Sequence, residues 1–192
     1  MEAGTTLTAG AEIRGKRAVV FWRTDTRALV GAVLMGLAFV VAQQLTHRVD
    51  NIFWPTLVIF GGISWATFTG LAALLFRQPA ALIMGETQAL IAVGTGLSPL
   101  APFFIPANGL GALTYSLVAW RLSMQKWTHH LLAQAATNVV GNLCVAVGLR
   151  VILELPYPVI IVSSSVTALA GTVGSTILTH RLYRSVKSSG LA

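Results

Sequence analysis

Apolar residues in this chain do not alternate with polar ones; they run. Six segments are almost continuously hydrophobic, at about 27–45, 57–76, 79–97, 103–120, 128–149 and 158–180. A bilayer core about 30 Å thick needs roughly 20 such residues at a rise of about 1.5 Å each. The pattern therefore predicts six membrane-spanning helices. The breaks between them have turn chemistry. "FRQPA" is a tight turn between the second and third segments, and Pro79 suits a helix start. "GLSPLAPFFIP", with three prolines, separates the third and fourth, and "ELPYP" precedes the sixth.

The charged positions orient these helices. Arg14, Lys16, Arg17, Arg23 and Arg27 precede the first segment, and Arg77 lies in the second–third turn. Arg121 and Lys126 lie in the fourth–fifth loop, and Arg181, Arg184 and Lys187 follow the sixth segment. With six spans all of these fall on one side, and only Arg48 and Arg150 fall on the other. Positive charge accumulates on the cytoplasmic side, so both termini are expected there. Trp22, Trp120 and Trp127 fall at the expected inner interface and Trp54 at the outer one, whereas Trp65 falls mid-span. The expected organisation is a basic cytoplasmic arm at 1–26, a transmembrane domain at 27–181 and a cytoplasmic tail at 182–192. "RAVVFWR" is expected to lie flat at the membrane surface, and "EAGTTLTAGAE" and "SVKSSGLA" to be disordered.

Composition agrees. The 192 residues are 55% hydrophobic and 10% charged, with a mean hydropathy of +0.74, where soluble domains carry about 25% charged residues. The net charge of +7 borders the first span, which points to anionic membrane lipid and away from nucleic acid. Cys144 is the single cysteine, so no disulfide framework or thiolate metal site is expected. No secretory signal peptide is expected either.

Several chemistries lack their motifs. There is no P-loop and no H-E-x-x-H pair. His129 and His130 are adjacent, so they point apart on a helix and read as interfacial polarity. "SSS" at 163–165 lacks a G-x-S-x-G context. No catalytic residue, metal or cofactor is expected.

Other polar residues do interrupt the spans. Glu86 is the one acidic residue well inside a predicted span. A carboxylate there costs at least about 2–3 kcal/mol, so it is expected to face the bundle interior or a cavity. It either hydrogen-bonds a neighbouring helix or contacts a ligand. Gln88, two residues on, points elsewhere. Gln134, Asn138 and Asn142 recur every four residues as a stripe, either as glue between helices or as the lining of a pocket. Asn108 and Tyr115 share a helix face in the fourth segment. Ser163, Ser164, Ser165 and Thr167 lie near the outer end of the sixth, and Gln43 and Gln44 near the outer end of the first. Trp65 offers a stacking face or plain packing. Together these groups suggest a pocket open outward and no through channel. Ala28, Ala32 and Gly36 repeat every four residues in the first segment. That face packs within the bundle or docks another membrane protein.

Six spans, two cytoplasmic ends and this length resemble the S-components of energy-coupling factor (ECF) vitamin transporters. Within that group "RQPAALIMGE" at 77–86 resembles the R-x-P-G-A-A-L-x-x-E of the YkoE-type thiamin/hydroxymethylpyrimidine family. "NGLGA" at 108–112 is similar to its Q-G-L-G-A, and Ala28 and Ala32 match the A-x-x-x-A docking motif of S-components. Members tend to carry an acidic residue after G-L-G-A; here that position is Leu113. The resemblance implies an all-α, six-helix S-component-like bundle in a bacterial or archaeal plasma membrane. It implies capture of a vitamin or vitamin precursor from outside, without catalysis. Delivery would need a transmembrane coupling subunit, docked at Ala28, Ala32 and Gly36, and two cytoplasmic ATPases. Glu86 would bond an amino-pyrimidine or other protonated ring, Asn108, Asn138 and Asn142 would read polar edges, Tyr115 or Trp65 would stack on the ring, and Ser164 would belong to the same site. The alternatives are a small intramembrane enzyme, using Glu86 or Ser164, and a membrane scaffold subunit.

Overall fold

The computed structural model describes residues 21–53 and 57–190. They form six helices: α1 (Thr26–Phe53), α2 (Ile59–Leu75), α3 (Ala80–Gly94), α4 (Ala101–Arg121), α5 (Trp127–Val151) and α6 (Tyr157–Ser188). Three of them, α1, α5 and α6, are long and apolar enough to cross a membrane; α2 and α3 are shorter apolar helices. Trp54, Arg14, Lys16, Arg17 and the segment "EAGTTLTAGAE" lie outside the described residues.

The helices pack in the spatial order α1, α3, α4, α5, α6, and α2 touches all five of the others. Its composition suits that central place. Its buried residues are Gly61, Gly62, Ala66, Thr67, Thr69, Gly70, Ala72, Ala73 and Leu74, mostly small. Without a hydrophobic driving force between helices in lipid, close approach through small side chains supplies the packing.

The small-residue face of α1 is used in the same way. Ala28 and Ala32 are fully buried in the core, and Gly36 meets the Met84 carbonyl and Thr87 of α3 so closely that a Cβ would come within 2.8 Å of either. This corrects the expectation of an external docking face at Ala28, Ala32 and Gly36. Gly36 is spent on α3, and Ala28 and Ala32 on the core, inside the chain.

Two helices outrun their apolar segments. Past residue 45, α1 continues to Phe53 because its last turns have a partner. Asp50 accepts hydrogen bonds from the backbone N–H groups of Phe60 (2.9 Å) and Gly61 (2.8 Å). These are orphan donors in the first turn of α2, whose own N-cap, Val58, supplies no side-chain bond. At the other end of the chain, α6 runs through the segment expected to be a disordered tail, as far as Ser188. Its last turn holds Lys187, a cation placed favourably against the helix dipole.

The Pro-rich stretch before α4 is also more helical than its prolines suggest. The helix begins at Ala101, takes Pro102 in its first turn and carries Pro106 within it. Pro in the first turn removes no intrahelical bond; Pro106 removes one. Between α2 and α3, Gln78–Pro79 (β2) pairs in parallel with Trp22–Arg23 (β1). The Gln78 N–H donates to the Phe21 carbonyl at 3.0 Å. The described end of "RAVVFWR" is thus an extended strand fastened to a turn. Arg77 closes α2 by donating to the carbonyls of Ala73 (3.1 Å) and Leu74.

Candidate functional site

A cavity of about 100 Å³ opens among α1, α2, α4, α5 and α6. It lies at the end of the bundle where α1 finishes and α6 begins, away from Arg23, Arg77 and Arg121. One buried water needs about 10–15 Å³, so the space suits several waters or one small ring.

Trp65 forms its floor. The benzo edge of the indole enters between α4 and α5, where the chain has Gly111 and Gly141. A Cβ on Gly111 would stand 2.6 Å from the ring, and one on Gly141 would overlap it. The tryptophan in the middle of α2 is therefore keyed in place by two glycines on two other helices. Its Nε1 is buried and has no hydrogen-bond partner among the described residues.

The walls carry amides and hydroxyls. Gln43 and His47 come from α1, Asn108 from α4, Asn142 from α5, and Ser163, Ser164 and Thr167 from α6. A buried chain of amides holds one side. Gln88 donates to Gln43, and Asn108 donates to Gln88 Oε1 (2.8 Å) and to the Gly85 carbonyl (2.7 Å). On α5, Asn142 donates to the Asn138 carbonyl at 2.9 Å. His47 Nε2, like Trp65 Nε1, is buried without a partner among the described residues.

The structure thus brings Trp65, Asn108, Asn142 and Ser164 together, and keeps Glu86, Tyr115 and Asn138 out of the cavity lining. Glu86 is half-buried on a different face of α3 from Gln88, and its Oε1 rests against Gly109 of α4. Two residues on a helix are separated by about 200°, so only one of the pair can face the amide chain. Gln88, 1% exposed, is that residue.

Asn138 is fully buried below the cavity. It donates to the Gln134 carbonyl (2.9 Å), and its Oδ1 sits hard against Gly171 of α6. Gln134 donates to the Ala66 carbonyl (2.9 Å) and Thr179 (3.0 Å), so it ties α5 to α2 and α6. The amide stripe of α5 therefore divides: its inner members join helices and Asn142 reaches the cavity. Tyr115 lies farther still, two helical turns from Asn108. Its hydroxyl meets His130 Nδ1 at 3.4 Å, and His130 Nε2 donates to the Met124 carbonyl at 2.9 Å. His130 is 1% exposed and packs on His180, with ring centroids 5.1 Å apart. It is a core residue at the far end, which corrects the expectation of interfacial polarity.

Gln43, expected near the outer end of α1, does line the cavity; Gln88, expected to point elsewhere, supports it, and His47 is a lining residue that the polar pattern did not single out. The signal for His47 was present. Gly36, Gln43, His47 and Asp50 continue the small-residue face of α1 at helical spacing, past the point where the apolar run stops. His47 and Ser164 line the same cavity, but no hydrogen bond joins them. No group of three His, Cys, Asp or Glu residues among the described residues is placed to hold a metal ion.

Compared with known proteins, the chain matches no family model, no curated relative and no solved structure.

Proposed function

We propose that this is a six-span membrane protein that captures a small heteroaromatic solute from outside, and serves as the substrate-binding S-component of an ECF-type importer. The observation that carries the reading is the cavity itself: an indole floor from α2 with amide and hydroxyl walls from four other helices, at one end of an apolar bundle. Apolar surface with a few fixed polar groups is the usual make-up of a small-molecule site. The arginine distribution supports an outward mouth, because the basic clusters gather at the opposite end. The "RQPAALIMGE" and "NGLGA" motifs support a vitamin or vitamin precursor of the thiamin or hydroxymethylpyrimidine kind.

In this reading the protein performs no chemistry. Binding energy comes from stacking over Trp65 and from hydrogen bonds to Asn108, Asn142, Gln43 and Ser164. Release requires a transmembrane coupling subunit and two ATPases. The coupling subunit docks on a surface other than the buried Ala28–Ala32–Gly36 stripe. Native mass spectrometry of the detergent-purified chain tests the proposal, followed by titration with thiamin and with 4-amino-5-hydroxymethyl-2-methylpyrimidine. A co-isolated small molecule, or binding at micromolar concentration or below, is expected. A bare protein that binds neither compound at that level would refute it.

A further inference from the structure

We infer, resting on the solute-binding reading above, that the cavity selects a planar ring without fixed positive charge, presenting acceptor atoms to His47 Nε2 and Trp65 Nε1. Both nitrogens are buried and unpartnered among the described residues, and both side chains line the cavity. An indole N–H can only donate, and a histidine donates from Nε2 in one of its two neutral tautomers and when protonated. Buried donors of this kind are costly when unpaired. A ligand carrying acceptors at both places recovers that cost, whereas an apolar ring does not.

The charge inventory sets the second half of the rule. No Asp, Glu, Lys or Arg among the described residues lines the cavity. Asp50, one turn beyond His47 and outside the lining, holds both carboxylate oxygens on the first turn of α2. Glu86 faces Gly109 and not the cavity. A cationic ring entering here loses its hydration and meets no counter-charge in the lining. Its cation–π attraction to Trp65 is the smaller of the two effects. His47 supplies no negative charge to offset a cation in either protonation state. His47 is thereby a specificity-determining residue, placed one turn before Asp50 on α1.

The test uses the full chain in detergent, with two neutral/cation probe pairs followed by calorimetry. The pairs are nicotinamide against 1-methylnicotinamide, and 4-amino-5-hydroxymethyl-2-methylpyrimidine against thiamin. The neutral member is expected to bind roughly tenfold or more tighter in at least one pair. A cation that binds equally well or better overturns the charge rule and leaves the solute-binding reading standing. If no probe binds, both are overturned. For the donor pair, Trp65→Phe removes the N–H and keeps a ring, while His47→Leu and His47→Gln remove and retain a donor. Trp65→Phe and His47→Leu are each expected to weaken the neutral probe about tenfold, with His47→Gln within a few-fold of wild type. Unchanged binding in both Trp65→Phe and His47→Leu, with wild-type melting curves, would overturn the donor assignment.

Discussion

The ring edge of Trp65 occupies the space that a side chain on Gly141 would need. Helix α2 is thereby locked against α5 at the base of the cavity, and the contact with Gly111 locks it against α4 as well. Gly141→Ala is expected to push the indole upward into the cavity and to overpack the core, at a cost of about 1–3 kcal/mol. A lower thermal midpoint in detergent together with a shifted tryptophan emission maximum would show it. A variant with wild-type stability and emission would mean the ring has room that the packing denies.

The amide chain and the carboxylate on α3 should behave oppositely. Gln88→Leu removes the buried donor to Gln43 and leaves Asn108 only the Gly85 carbonyl, which costs about 1–3 kcal/mol. Glu86→Gln changes a half-buried group against Gly109 and is expected to shift stability by less than about 0.5 kcal/mol, with solute binding intact. Unfolding midpoints and a binding titration of the two variants decide this. Loss of binding in Glu86→Gln alone would return the carboxylate to the site.

Asp50 is the cap that α2 lacks in its own sequence. Asp50→Ala is expected to cost about 1–2 kcal/mol, while Asp50→Asn, which keeps an acceptor, costs less. Amide exchange at Phe60 and Gly61 should rise first, since their N–H groups lose the acceptor.

Gly36→Val separates a packing stripe from a docking stripe. Met84 and Thr87 leave no space for the new side chain, so α1 and α3 are forced apart and the isolated chain is destabilised. A docking-only role would leave its melting curve unchanged.

Ahead of α1, Asp25 accepts from the Ala28 N–H at 2.9 Å and pairs with Arg23. The arginine, and then the helix N–H, hold its carboxyl below the usual carboxylate range. A depressed folded-state value means the cap is fully present above the unfolded value of about 3.9 and is lost as pH falls through the lower folded one. Arg23→Ala should move the Asp25 titration upward by NMR.

The six helices were legible because runs of apolar residues and proline-marked turns are local signals. The extension of α1 was not, because its cause is Asp50 meeting α2, a tertiary contact. Trp65, Asn108, Asn142 and Ser164 were singled out as polar or aromatic interruptions, and they converge on one cavity. Glu86 drew attention as the one carboxylate in an apolar run. Helical spacing alone could not say whether its face or that of Gln88 turned inward. The α5 stripe likewise kept its direction hidden until Gly171 and Thr179 showed which amides α6 covers. His130 was misjudged because adjacency to His129 revealed that the two point apart, but not which one faces Tyr115.

Asp50 also divides the mouth of the cavity into two unequal jaws. It fastens the last turns of α1 to the first turn of α2 through the N–H groups of Phe60 and Gly61. The α6 side has no such fastening. The Ser163 hydroxyl donates to its own helix at Ile160, and no side-chain hydrogen bond among the described residues crosses from Ser163, Ser164 or Thr167 to α1 or α2. On that side α6 meets α2 by packing, with Thr167 against Gly62, so the two walls of the mouth are held by different forces.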